Sequence, residues 1–185
     1  MRDNSVKRLA MNGLMIALVF LATYFTRIPT PLPGGYFNLG DAVIMLASAF
    51  LGPIGGLAAG GIGSAFADLA AGAWIYAPIT LVVKGIEGLV VGILAANYMK
   101  SNSNKPNDAR SNLKLIVALA AGAVIIVAGY FSGEAFVLSL FDNAFGIVAA
   151  AGELVPNFIQ GGLSAILAYF LILVLSRVGI QKVIG

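Results

Sequence analysis

LGDAVIMLASAFLGPIGGLAAGGIGSAFADL, residues 39–69, carries two charges, Asp41 near its start and Asp68 near its end. How this stretch is read fixes the number of membrane crossings. It divides into two candidate spans, 38–52 and 54–72. The first is short: a helix from Leu39 to Leu51 reaches about 20 Å, against a hydrocarbon core about 30 Å thick. Charge decides whether it counts. With it, the chain crosses six times, and Arg2, Lys7, Arg8, Lys100, Lys105, Arg110, Lys114, Arg177 and Lys182 all fall on one side. These are nine of the eleven basic residues, so the excess of positive charge on cytoplasmic loops places both termini in the cytoplasm. Without it, the Lys100–Lys114 group would lie opposite the N-terminus.

The rest of the chain reads the same way. Of 185 residues, 59% are hydrophobic and 10% charged, far from the balance of a water-soluble domain. Further spans are expected at 8–26, 78–98, 113–131 and 153–176, and the apolar stretch 143–151 reads as an interfacial or re-entrant piece. The segment from Leu9 to Phe25 resembles a signal peptide in its basic flank, but it lacks a clear small-x-small cleavage site and is read as a retained helix. The expected fold is therefore an all-α integral membrane protein, one six-helix bundle over 1–185, with the lipid bilayer as its solvent. Its basic residues are topology signals and imply no nucleic-acid partner.

Two loops differ in character. Residues 99–112 contain Ser101-Asn-Ser-Asn-Lys-Pro-Asn-Asp-Ala-Arg-Ser, a flexible cytoplasmic connector without a motif. The outer loop 27–37 has prolines at positions 29, 31 and 33 that stiffen it, and Gly34-Gly35 before Tyr36 and Phe37. It reads as a gating lid or, equally, as an ordinary proline-rich turn.

Lipid gives helices no hydrophobic reason to associate, so close packing falls to small residues at four-residue spacing. Gly52, Gly56, Gly60 and Ser64 form such a ridge on the third span, Gly88 and Gly92 on the fourth, and Gly161 with Ala165 on the sixth. Internal packing is their default meaning. On the first span Ala10, Gly13 and Ala17 make a small patch near the cytoplasmic end, suited either to internal packing or to another protein's helix.

Charges within a membrane are costly and usually mark a pocket or a path. Three stripes occur at helical spacing: Ser64 and Asp68; Thr80, Lys84 and Glu87; and Glu153, Asn157, Gln160 and Ser164. All lean toward the outer side, which implies a water-accessible pocket opening outward. The bland alternatives remain open at each place. Lys84 and Glu87 can neutralise each other along one helix face, Asp41 and Asp68 can cap helix ends, and Asn157 and Gln160 can be interhelical glue. Tyr36, Phe37, Trp74 and Tyr76 suit either a planar ligand or an interfacial aromatic belt.

Absent chemistry narrows the function. There is no Cys or His, which removes disulfides, thiol catalysis, imidazole triads and Cys/His metal sites. There is no phosphate-binding G-x-x-x-x-G-K-[ST] loop either, so energy must come from an ion gradient or a partner. Neither an enzyme nor a resident cofactor is expected.

Several pieces in order, namely Ala10 to Phe25, GYFNLGDAVIML (35–46), Leu51-Gly-Pro through GSAFADL (63–69), Lys84-Gly-Ile-Glu-Gly, Gly129-Tyr-Phe and Glu153-Leu-Val-Pro-Asn-Phe-Ile-Gln, resemble the S components of energy-coupling factor (ECF) vitamin transporters of bacterial cell membranes. The likeness covers nearly the whole chain. It implies that a vitamin enters from outside beneath the loop between the first two helices and meets helices four to six. It further implies docking of the first helix on a T component, two cytoplasmic ATPases driving the cycle, and toppling of the subunit within the bilayer. The family's docking motif is Ala-xxx-Ala, and Gly13 and Ala17 stand at the matching positions. The likeness is greatest to S components for hydroxymethylpyrimidine or pyridoxine, and broader to those for riboflavin. Carboxylates and amides suit the amino and hydroxyl hydrogens of a small heteroaromatic ring. The expected site is Glu87, Asn157 and Gln160 orienting the ring, Trp74 or Tyr36 stacking on it, Lys84 organising Glu87, and Asp68 beside them.

Two other readings compete. A proton-coupled transporter acting alone would use Asp68 or Glu87 as proton carrier, although the halves show no internal repeat and the polar residues avoid the midplane. A ligand-free membrane subunit would bind no small molecule.

Overall fold

The computed structural model describes residues 2–30, 36–104 and 109–178. The prolines at 31 and 33 and the Gly34-Gly35 pair of the outer loop lie outside the described residues, as do Lys105 of the connector and Lys182. Helix α1 runs Arg2–Phe25, α2 Gly40–Ala70, α3 Ala77–Asn104, α4 Ala109–Ser132 and α5 Ile147–Val178. Two short strands, β1 (Ile28–Pro29) and β2 (Tyr36–Phe37), pair antiparallel between α1 and α2, with Ile28 opposite Phe37. After α4 the chain tightens through a π-helical turn, Gly133–Val137, and a 3-10 turn, Leu138–Leu140.

Among the described residues five helices are long and apolar enough to cross a membrane, where six spans were expected. The difference lies in α2, which contains both spans of the 39–69 stretch. Gly52, at φ 77°, interrupts its helical backbone, a left-handed conformation open chiefly to glycine. Pro53 then starts the second arm at a position where its missing N–H is harmless. Along an unbroken helix Ser48 and Gly56 would stand about 12 Å apart, and Ile44 and Gly60 about 24 Å. Instead, a methyl group added at Gly56 would strike the Ser48 hydroxyl, and one at Gly60 the Ile44 side chain. The two arms, 40–51 and 53–70, therefore fold back on one another. The first arm, about 18 Å long, is shorter than a full crossing.

Apart from α2, the helices differ from expectation at their ends. The α3 helix runs on through polar residues to Asn104, and α5 begins at Ile147, so residues 147–151 of the supposed interfacial piece are its first turns. Backbone hydrogen bonds continue past the apolar stretch, and hydropathy registers only the part within lipid.

Neighbours along the chain pack together, and α2 also reaches α5. On α1, Met15, Val19 and Thr23 are buried while Leu14, Leu18 and Leu21 are exposed, a helical stripe facing α2 with lipid-facing side chains opposite. The second arm of α2 wedges between α1 and α3 on its glycines. A methyl at Gly63 would meet the Ile16 carbonyl and Val19, and methyls at Gly56 and Gly60 would meet the carbonyls of Gly88 and Lys84. The first arm is enclosed by α3, α4 and α5 around an apolar cluster that includes Met45, Val91, Tyr98, Leu119, Ile126 and Ile172.

This packing predicts a contrast among glycines. Gly88→Ala should destabilise the detergent-solubilised chain by about 1–3 kcal/mol, because the new methyl strikes a backbone carbonyl that has no free direction to move. Gly162→Ala, where nothing lies within 4 Å, should leave thermal unfolding unchanged. Equal effects of the two would contradict the glycine contact.

Candidate functional site

At the end of the bundle that carries the β1–β2 ribbon, the polar stripes converge on a cavity. Its walls are Thr23 of α1, Tyr36 and Asn38 of the ribbon side, Asp68 of α2, and Tyr76, Thr80 and Lys84 at and before the start of α3. Tyr130 comes from the end of α4, Glu134 from the π-helical turn after it, and Glu153, Asn157 and Gln160 from α5. The cavity has a volume of about 30 Å³, room for two or three waters. A ring-sized ligand therefore requires its walls to part.

The cavity floor is a buried ion pair. Lys84 Nζ donates to Asp41 Oδ1, and both residues are almost wholly shielded. Gln160 Nε2 donates to the other oxygen, Asp41 Oδ2, at 2.7 Å, while Gln160 Oε1 accepts the Asn38 backbone N–H at 2.8 Å. Asn38 Oδ1 in turn accepts from the Gly40 N–H at 2.8 Å, satisfying one of the orphan donors at the start of α2. Gln160 thus ties α5 both to the ion pair and to the chain leaving β2. A pair this deep contributes little net stability as a whole. Removing one partner, however, leaves an uncompensated charge and costs about 3–5 kcal/mol.

The walls add aromatics. The Lys84 ammonium lies 5.5 Å from the Tyr130 ring centroid, within cation–π range, and the Tyr130 and Thr80 hydroxyls are 3.0 Å apart. Tyr36 donates its hydroxyl to Asp68. Burial, then the Asp68 carboxylate, pushes the Tyr36 phenol far above its ordinary range, so it remains a donor. Burial, then Glu134 and Glu153, does the same at Tyr76. At the rim, Arg27 donates Nε–H to the Tyr24 carbonyl at 2.8 Å, and its guanidinium stacks 4.2 Å from the Tyr24 ring centroid. The ribbon is further pinned where Thr26 Oγ1 accepts the Leu39 N–H at 2.8 Å.

Tyr36, Asp68, Lys84, Asn157 and Gln160, all expected from sequence, meet at this cavity. Glu87 does not reach its lining. It is fully buried, with Gly122 of α4 close to its side chain and Asp41 nearby. Lys84 was expected to organise Glu87, but its ion pair goes across the bundle to Asp41, because the fold-back of α2 brings that carboxylate within reach. Asp41 is thus a structural partner of Lys84 and more than a helix cap. Trp74 is 71% exposed and lies outside the cavity. Ala10, Gly13 and Ala17 face away from the bundle, and nothing approaches within 4 Å of a methyl added at Gly13. Sequence reasoning missed Thr23, Asn38, Tyr130 and Glu134 as site residues, and left Tyr76, which lines the cavity, open between a ligand contact and an aromatic belt. Tyr130 lies on α4, within reach of helical spacing, whereas Glu134 sits in the π-helical turn after it and outside that period.

These features agree with comparisons to known proteins. The sequence model of the family described as "ECF-type riboflavin transporter, S component" matches residues 3–177. An uncharacterised protein in the gap 3′ region of Pyrococcus woesei is 38% identical over 114 residues, 62% of this chain and 69% of that protein. A UPF0397 protein of Lactococcus lactis subsp. cremoris is 40% identical over 68 residues, and that match spans only 37% of either chain. A solved structure of the S component of a bacterial ECF transporter shares the fold at a TM-score of 0.62 and 20% identity, over 94% of this chain and 97% of that one. A multi-pass helical membrane architecture, a polar cavity at one end and a family match over almost the full length lead to one conclusion: the chain belongs to the S-component family of ECF-type transporters.

Proposed function

We propose that this chain captures a small heteroaromatic vitamin or precursor from outside the cell and passes it inward in complex with a T component and two ATPases. The observation that carries this reading is the cavity at the ribbon end, rich in carboxylates, amides and tyrosines and backed by the apolar cluster deeper in the bundle. Such a chamber receives polar edges and ring faces and offers no water path to the other side. The positive-inside rule supports an outward-facing ribbon end, with both termini cytoplasmic and six crossings once the two arms of α2 are counted separately.

Hydroxymethylpyrimidine or pyridoxine is the favoured ligand class, because their amino and hydroxyl hydrogens match acceptors at Asp68, Asn157 and Gln160. Tyr36 and Tyr130 supply the ring faces. Riboflavin is the second reading, favoured by the description of the matching family. The exposed Ala10, Gly13 and Ala17 patch on α1 is the proposed T-component surface, where small residues let a partner helix approach closely.

Calorimetry of the purified chain against hydroxymethylpyrimidine, pyridoxine, thiamin and riboflavin tests the proposal. Tight one-to-one binding of one compound without ATP is expected. Silence across the panel, or gradient-driven uptake by the chain alone, would overturn it. Asn157→Ala should weaken that binding at least about tenfold by removing hydrogen bonds made inside a desolvated pocket, whereas Trp74→Ala should change it less than about twofold, as fits a belt residue. Ala17→Leu should leave binding by the isolated chain intact but abolish ATP-dependent uptake when partners are present, because the bulkier side chain blocks close helix approach.

A further inference from the structure

A serine or threonine hydroxyl on a helix commonly bonds back to the carbonyl one turn earlier. Thr26, just past the end of α1, does so with the Ala22 carbonyl at 2.7 Å, and Ser48 does so with the Ile44 carbonyl at 2.7 Å. Thr23, on α1 itself, makes no such bond. It is 2% exposed, and its Oγ1 has no hydrogen-bond partner. Hydrocarbon offers none either. A buried hydroxyl left in this way does nothing for the fold, and such groups are rare.

Its surroundings show where the hydroxyl stands. Thr23 lines the chamber, and among the described lining residues it is the one that α1 supplies. A methyl group added at Gly40 would strike Thr23 Oγ1 and Asn38 Oδ1 together. The hydroxyl therefore occupies the space left by the missing side chain of Gly40, beside the chain that leaves the ribbon. Other donors of the walls are already directed at protein acceptors. Lys84 and Gln160 donate to Asp41, Tyr36 donates to Asp68, and the Thr80 and Tyr130 hydroxyls bond each other. The Thr23 O–H has no acceptor within the protein. A free donor in a ligand chamber is complementary to a lone pair.

We propose that Thr23 is a ligand-binding residue supplied by α1, its hydroxyl donating to an acceptor of the captured molecule, a ring nitrogen or a carbonyl oxygen. The inference rests on the capture function proposed above and adds α1 to the walls that recognise the ligand, beyond the helices four to six that the family resemblance implies. Because the hydroxyl is unpaired in the free chain, removing it takes a bond from the complex and none from the fold.

The test titrates hydroxymethylpyrimidine, pyridoxine, thiamin and riboflavin into the purified full chain, then repeats the tightest binder with Thr23→Val, Thr23→Ser and Thr23→Ala. The first keeps the side-chain shape and deletes the hydroxyl; the second keeps the hydroxyl and deletes the methyl. Thr23→Val should bind at least about tenfold more weakly, and Thr23→Ser within about threefold of the wild-type chain. The ligand-free Thr23→Val chain should melt no lower than the wild-type chain, an outcome that a merely structural hydroxyl would not give. Unchanged affinity in Thr23→Val would overturn the contact and leave vitamin capture standing. Equal weakening in Thr23→Ser and Thr23→Val would also overturn it, since the methyl packing would then be what matters. If Thr23→Val does not fold, Thr23→Ala against Thr23→Ser makes the same comparison of hydroxyl absent and present. A ligand-free Thr23→Ala chain much less stable than Thr23→Ser would show the hydroxyl already bonded in the free chain, which overturns the contact as well. Silence of the wild-type chain toward all four compounds would refute capture and contact together.

Discussion

An ammonium and a carboxylate cannot each be left alone in a hydrocarbon interior, and the architecture of this chain follows from bringing Lys84 and Asp41 together. Asp41 lies at the start of one helix and Lys84 in the second turn of the next. They meet because α2 turns back at Gly52, so that the start of its first arm stands beside the beginning of α3. The glycines at 56, 60 and 88 make the approach close enough. Once made, the pair fixes the position of Gln160, whose amide bridges Asp41 to the backbone of Asn38. Helix α5, the ribbon and α3 are thus joined at one buried point.

That junction also divides the bundle by depth. Deeper lies the apolar cluster built on Met45, Val91, Leu119 and Ile172, which excludes water. Above lies the chamber, where hydroxyls, amides and carboxylates face inward. A subunit that receives a solute on one side without conducting it needs this division. Because Gln160 belongs both to the chamber wall and to the link with Asn38, a ligand competing for its amide also acts on the chain that leaves the ribbon.

Much of this was legible in the sequence, and what was not has a physical reason. The apolar runs identified the helices, since lipid requires continuous helical hydrogen bonding. The stripe Glu153, Asn157 and Gln160 identified one chamber wall, because four-residue spacing fixes a helix face wherever the helix lies. The partner of Lys84 was hidden. Glu87, three residues on, is the near choice by sequence, and only the fold-back at Gly52 makes Asp41 the nearer one in space. Tyr76 and Trp74 lie two residues apart at the same level with opposite fates, one buried in the chamber wall and one facing outward. Position along the chain does not carry that distinction outside regular structure. The turn presenting Glu134 departs from helical period, so its direction could not be projected from α4.

On the function proposed above, ligand occupies the chamber above the Asp41–Lys84–Gln160 junction. The most direct measurement is an experimental structure of the full chain purified with whichever compound it binds most tightly. Ligand density enclosed by Tyr36, Asp68, Tyr130 and Asn157 is expected, with the chamber widened to admit it. Density elsewhere on the chain, or a saturated complex whose chamber remains as narrow as that of the free chain, would contradict it.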